Sequence, residues 1–190
     1  MTTVAIPEWN TLGLLPPIDP AAPASQERSP YRVALSDVVA RFSTSSERRQ
    51  ILRGWLNFRA ALHGMGIIEG FQWLDGSFME QVEVLERRAP RDIDVVSFVR
   101  IPAAFNPTPE QLAALDHDHV KQTFLVDSYL VEMDQLERPN LIRKAAYWYS
   151  MWSHRRNQAW KGYLEVDLEP TFDQQALDWL DQQEIQEAQP

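Results

Sequence analysis

Three short fragments of this 190-residue chain carry groups that could act together on a phosphate: Gly76-Ser77, Asp92-Ile93-Asp94 and Val126-Asp127-Ser128. Each alone says little, since Gly-Ser is a turn signal and acids make up 27 of the residues. Their order is more informative, because each fragment sits at or inside a segment that reads as a strand. Side chains alternate faces along a strand, so Asp92 and Asp94 project to one side while Ile93 enters the core. Asp127 on a neighbouring strand adds a third carboxylate. Clustered carboxylates suit hard Mg²⁺ or Mn²⁺, which keep open positions for phosphate oxygens and water. A Gly lets backbone amides approach a phosphate, and a Ser beside it offers a hydroxyl donor. The expected chemistry is phosphoryl transfer: Gly76 and Ser77 cradling phosphates, Asp92, Asp94 and Asp127 holding metal, and Asp127 helping to deprotonate the acceptor.

The elements that must position these groups follow from periodicity and turn chemistry. Phe71 to Asp75 reads as a strand between Gly70 and Gly76, and Ile93 to Val99 as a β-branched strand. Phe124 to Val131 and Gly162 to Leu168 give two more. Helices are predicted from Tyr31 to Phe42, from a Thr44/Glu47 capping box to Gly64, from a Thr108-Pro109-Glu110-Gln111 start to about Val120, and from Pro139 to Trp152. A last amphipathic helix is predicted over Phe172 to Gln189, and Glu80 to Arg88 reads as a short helix over the site. Six of the 13 prolines fall in residues 1 to 30, which read as an arm. Its apolar residues (Ile6, Trp9, Leu12, Leu14, Leu15, Ile18) suit packing along the domain surface or across a partner. The expected organisation is a Pro-rich arm (1–30), an α+β domain (31–170) with a mixed sheet of about four to five strands flanked by helices, and an acidic helix or tail (171–190).

Composition removes several classes. The absence of cysteine excludes disulfides, thiolate metal sites and cysteine nucleophiles. No apolar run is long enough for a membrane span and no leader is apparent, so a cytoplasmic protein without membrane contact is expected. The net charge of −9 is uneven: residues 163 to 190 hold eight acids and no Lys or Arg, leaving 19 acids against 18 bases elsewhere. That balance argues against a broad phosphate-binding surface, although a local basic pocket remains open.

The fragments Leu74-Asp75-Gly76-Ser77-Phe78, Arg91-Asp92-Ile93-Asp94-Val95-Val96 and Leu125-Val126-Asp127 resemble the signature of the polymerase-β-type nucleotidyltransferase superfamily. More narrowly, the chain is similar over most of its length to a group of small bacterial nucleotidyltransferase-like proteins. That similarity is carried by Gly13-Leu14-Leu15-Pro16-Pro17, Trp73 to Phe78, and Tyr147-Trp148 followed by Lys161-Gly162. The resemblance implies Mg²⁺ or Mn²⁺, a nucleoside triphosphate donor and pyrophosphate as product. It also implies catalytic, metal-holding Asp92, Asp94 and Asp127, with Gly76 and Ser77 binding the nucleotide; the basic side chains of Arg91 and Lys161 are expected to bind it too. The smallest bacterial members are often paired with toxin–antitoxin or phage-defence genes, and some transfer AMP to a partner protein. The function expected is transfer of a nucleoside monophosphate, AMP from ATP first, to a protein or RNA hydroxyl. The alternatives are a catalytically silent antitoxin or interaction module and a synthase of a small nucleotide signal. The 14 residues from Phe78 to Arg91 make a long spacing for this signature.

Other groups admit two readings. Arg87, Arg88 and Arg91 suit triphosphate or acceptor binding, or simple charge balance. His154-Arg155-Arg156 with Lys161 forms a basic patch or complements a helix dipole. Tyr147, Trp148, Tyr149 and Trp152 suit base stacking or core packing. His117 and His119, two apart on a helix, point away from each other and read as a solvated helix end. Glu165 and Asp167 share one strand face, where exposure accounts for them.

Overall fold

The computed structural model describes residues 3–187. Five strands form one mixed sheet: β1 (Tyr31–Arg32), β2 (Gly70–Asp75), β3 (Ile93–Val99), β4 (Val126–Glu132) and β5 (Leu164–Asp167), in the order β1-β5-β2-β3-β4. β2 runs antiparallel to both its neighbours, while β3/β4 and β1/β5 are parallel pairs. The described residues also form seven α-helices: α1 (Leu35–Phe42), α2 (Ser46–Gly64), α3 (Val82–Leu85), α4 (Pro109–Ala113), α5 (His117–Phe124), α6 (Arg138–Trp152) and α7 (Asp173–Glu187). The fold is α+β, a five-stranded mixed sheet flanked by helices.

Strand alternation divides the apolar residues into two layers. Leu74, Val95, Val126, Leu164 and Val166 meet α1, α2, α5 and α7 on one face. Trp73, Val96, Phe98, Val131 and Tyr163 meet Trp148 and Trp152 of α6 on the other. Arg59 of α2 is fully buried, with both Asp173 oxygens at 2.7 and 2.8 Å, Gln72 Oε1 at 3.1 Å and the Asp167 carbonyl at 3.0 Å. Its fork of donors thereby ties α2 to the sheet and to α7. Arg53 and Arg49 extend the contact, Arg53 reaching Asp181 at 2.7 Å and Arg49 reaching Glu187. The acidic tail therefore lies against a row of arginines, with Ala176 and Leu180 in the core.

Residues 3–30 are also built in. Leu14 and Leu15 are buried. Val4 N–H donates to the Arg32 carbonyl, Gln81 N–H to the Gly13 carbonyl and Gly162 N–H to the Leu15 carbonyl. A Cβ on Gly162 would stand 2.5 Å from the Pro16 carbonyl oxygen, so the arm needs glycine there to lie flat.

Several predicted boundaries shift for identifiable reasons. Tyr31 does not open a helix, because the edge of β5 takes its N–H and that of Val33, through the carbonyls of Tyr163 and Glu165 at 3.0 and 2.9 Å. Ser45, not Thr44, caps α2, its hydroxyl accepting from Arg48 N–H at 3.3 Å. The Thr108/Gln111 capping box forms, but its helix stops at Ala113; Asp116 then caps a separate helix by accepting from His119 N–H at 3.0 Å. Phe124 closes that helix and Leu125 turns left-handed at φ 57°, so the strand starts at Val126. β5 covers only Leu164–Asp167, and the last helix runs Asp173–Glu187; Gln189 lies outside the described residues. Glu165 and Asp167 have partners, Glu165 accepting from Trp73 Nε1 at 3.0 Å and Asp167 pairing with Arg32 at 2.6 Å. Among the described residues, no helix is long and apolar enough to cross a membrane.

Arg59→Met leaves the Asp173 carboxylate buried beside an apolar side chain, and the expected loss is about 3 kcal/mol or more in urea unfolding. Arg59→Met/Asp173→Leu is expected to regain part of that loss; a double variant no better than the single one would place the loss elsewhere.

Candidate active site

The sheet register aligns carboxylates across three adjacent strands. Asp75 pairs with Asp94 across β2/β3, and Asp94 with Asp127 across β3/β4, so all three project from the face that carries α6. Asp92 lies two residues before Asp94 on the same side, while Ile93 is buried on the opposite face. This row floors a cleft of about 890 Å³. Gly76 and Ser77 form one wall, and Tyr129, Trp148 and Trp152 another. Arg88, Arg91, Arg155 and Arg156 stand at the rim.

The Gly76-Ser77 turn is held from outside the cleft. Gly76 has φ 85°, and a Cβ there would stand 2.0 Å from Asp94 Oδ2, so this position has no room for a side chain. Ser77–Met79 continues as a 3-10 turn. Buried Arg48 donates to the carbonyls of Phe78 at 2.7 Å and Glu80 at 2.8 Å, and Trp9 Nε1 donates to the Met79 carbonyl at 2.8 Å. Three successive carbonyls are thus engaged by α2 and the arm, which fixes the turn against the acid row.

Two lysines answer the carboxylates. Lys161 Nζ is buried and bonds both Asp75 oxygens, at 2.6 and 2.8 Å, with Glu80 at 3.6 Å. Lys121 of α5 bonds Asp127 and reaches Asp92 Oδ2 at 3.2 Å. The Asp127 and Asp92 carboxylates hold the Lys121 ammonium above its ordinary range. Burial pushes Asp75 up to about 6, against the pull of Lys161. Burial pushes Asp94 up to about 7, and the neighbouring carboxylates of Asp75, Asp127 and Asp92 add to it.

Every sequence-predicted site residue borders this cleft or its floor, with differences of detail. Asp94, Asp127, Gly76, Ser77, Arg91 and Lys161 line it, and Asp92 joins through Lys121. Lys161, expected on the nucleotide, has its ammonium committed to Asp75. His117, expected at a solvated helix end, sits in the first turn of α5 with Nδ1 3.1 Å from the Ser128 carbonyl and Nε2 3.5 Å from Asp127 Oδ1. Sequence reasoning missed Asp75, Lys121 and His117. Asp75 was detectable, since it shares strand parity with Trp73 and precedes the turn directly. Lys121 and His117 were not, because their placement depends on the helix break at Asp116.

The donor set fits a hard divalent cation in its chemistry. Three carboxylates crowd one another, and Asp127 Oδ1 is buried with no hydrogen-bond partner. Among the described residues, however, no group of three or more carboxylate or imidazole side chains is already gathered around one point. Lys121 Nζ lies between Asp92 and Asp127, so an ion entering there exchanges for it.

A family model described as a family of unknown function, DUF6932, matches residues 7–167, taking in most of the arm and all five strands. No curated protein and no solved structure matches the chain.

Asp94 binds its proton more tightly in the folded, metal-free chain than in the unfolded one. The free energy of unfolding is therefore expected to fall as pH rises from about 4 through about 7. Urea unfolding in EDTA at pH 5 and pH 8 checks this. Asp94→Asn should flatten the dependence and exceed the parent in stability at pH 8; an unchanged pH dependence would remove Asp94 as its source.

Proposed function

The chain belongs to the DUF6932 family, and from the site it carries we propose that it is a metal-dependent nucleotidyltransferase with a polymerase-β-type fold. It transfers a nucleoside monophosphate, AMP from ATP first, to a hydroxyl of a protein or RNA acceptor. The observation that carries this reading is the acid row across β2, β3 and β4 set against the Gly76-Ser77 turn at the floor of a polar cleft. In the reaction, the acceptor hydroxyl oxygen bonds to the α-phosphorus of the triphosphate. The bond from that phosphorus to the bridging oxygen breaks, pyrophosphate leaves with the electron pair, and the hydroxyl proton passes to a carboxylate.

The chain's own groups divide this work. Asp127, whose Oδ1 has no hydrogen-bond partner, receives the proton. Gly76 and Ser77 meet the triphosphate where no Cβ intrudes, and Arg91 meets it at the rim. Asp92, Asp94 and Asp127 would hold Mg²⁺ or Mn²⁺, which when bound offsets phosphate charge and eases ionisation of the acceptor hydroxyl. Lys161 keeps Asp75 paired at the turn, so its role is positioning. The partnership with toxin–antitoxin or defence genes, and residence in the cytoplasm, belong to the same reading.

A second reading, a catalytically silent member gripping a partner through the Pro-rich arm and the aromatic helix, has one observation in its favour. Lys121 and Lys161 pair with Asp92, Asp127 and Asp75, so lysine ammoniums supply counter-charge to the row.

Purified protein incubated with each α-labelled nucleoside triphosphate and Mg²⁺ or Mn²⁺, with and without cell lysate, decides between them. Label is expected in a macromolecular acceptor, reduced on the order of a hundredfold or more by Asp92→Asn/Asp94→Asn. Label in a small product would instead mark a nucleotide-signal synthase, and no label with any triphosphate would favour the silent member.

A further inference from the structure

The cations of this chain are distributed unevenly between paired and unpaired states. Among the described residues, 11 of the 18 lysines and arginines have a carboxylate within 4.0 Å, leaving Arg28, Arg87, Arg91, Arg138, Arg143, Lys144 and Arg156 without one. All of these except Arg28 belong to two segments that border the cleft: the loop after α3, and residues 138 to 161. The latter segment contains six Lys or Arg and no Asp or Glu, in a chain of net charge −9. It comprises α6 and the loop that follows it, which supply Trp148, Met151, Trp152, His154, Arg155 and Arg156 to the cleft wall.

Aromatic surface accompanies this charge. Tyr147 is 56% exposed and packs edge-on against Trp148, whose ring lies 4.6 Å from that of Tyr129, itself 40% exposed. Arg143, Tyr147 and Met151 follow one another at intervals of four along α6, with Lys144 beside them, so one face of the helix leads from outer surface into the cleft. At about 1.5 Å per residue, the 15-residue helix is about 22 Å long. A mononucleotide in the cleft leaves Arg143, Lys144 and Tyr147 without a ligand. An acidic peptide would use the cations but not the exposed rings. A duplex would present its phosphates but keep its bases from those rings.

We infer that the Arg143–Lys144–Tyr147 face of α6, continued by Arg156 and by Arg87 and Arg91 across the cleft, is a binding track for a single-stranded nucleic acid. Phosphates meet the unpaired cations and bases stack on Tyr147 and Tyr129. The inference rests on the reading above for its purpose, which is to bring a terminal hydroxyl to the acid row. The binding itself requires no catalysis, metal or triphosphate.

The test is fluorescence anisotropy of the full chain with labelled single-stranded RNA and DNA oligonucleotides of about twelve nucleotides, in EDTA, across a salt series. Saturable binding that weakens with salt is expected. It should fall at least about tenfold in Arg143→Glu/Lys144→Glu, and about tenfold in Tyr147→Ala, as loss of base stacking predicts. These side chains are exposed, and unfolding curves matching the parent confirm that the variants fold. Preference for RNA or for DNA names the source; either supports the track. No saturable binding at low salt, equal binding of a duplex, or affinity indifferent to these substitutions overturns it. Asp92→Asn/Asp94→Asn should lose label transfer and keep oligonucleotide binding, and the two proposals fail separately: oligonucleotide binding without label transfer by the parent would sink the transferase alone, whereas transfer to protein without oligonucleotide binding would sink the track alone.

Discussion

Like charges on adjacent strands repel, and the register of this sheet puts Asp75, Asp94 and Asp127 in one row with Asp92 beside them. The rest of the structure accommodates that row. Lys161 comes from the lead-in to β5 and Lys121 from α5, on opposite sides, each with its ammonium on carboxylates. Asp94 has neither lysine within ion-pairing distance and is pushed furthest toward its neutral form. A row of this kind is costly to keep in a molecule that does not use it, because burying crowded carboxylates lowers stability at neutral pH. That cost accords with a ligand that brings positive charge to the row.

Position is supplied from farther away. Arg48 on α2 and Trp9 in the arm take the carbonyls of the turn, and Gly13 receives the N–H of Gln81 just beyond it. The arm also reaches the lead-in to β5, where Leu15 accepts from Gly162 beside Lys161. One extended segment therefore braces both the turn and the strand lead that carries the lysine on Asp75, and residues 3 to 30 are less an appendage than a girdle. The acidic tail plays a comparable part for α2 through Arg49, Arg53 and Arg59.

The sequence revealed Asp92 and Asp94 as a pair because alternation in a β-branched strand is unambiguous: Ile93 between two aspartates permits one arrangement, whereas the register that adds Asp75 to the row is set across strands. The two-residue β1 left no periodic trace, since its identity lies in hydrogen bonds to β5 rather than in its own side chains. Thr108 to Val120 looked continuous because Leu112, Leu115 and Val120 keep an apolar rhythm across the break that Asp116 caps. That single misread boundary hid Lys121 and His117 from the site. The prolines marked the arm, but its destination could not be read locally. The contacts that seat it join residues far apart in the chain, Trp9 to Met79, Gly13 to Gln81 and Leu15 to Gly162.

Those long separations bear on when a working cleft can exist. The ribosome makes the arm well before Lys161, Gly162 and β5, which it braces. Until they emerge, Asp75 lacks the Lys161 ammonium and β1 has no strand to pair with. The floor and its walls therefore close together only once β5 has been made, and a chain cut before it presents the acids without the cleft. Contacts that span so much of the chain form only after most of it is in place, so the cleft is a product of the whole fold rather than of any one segment.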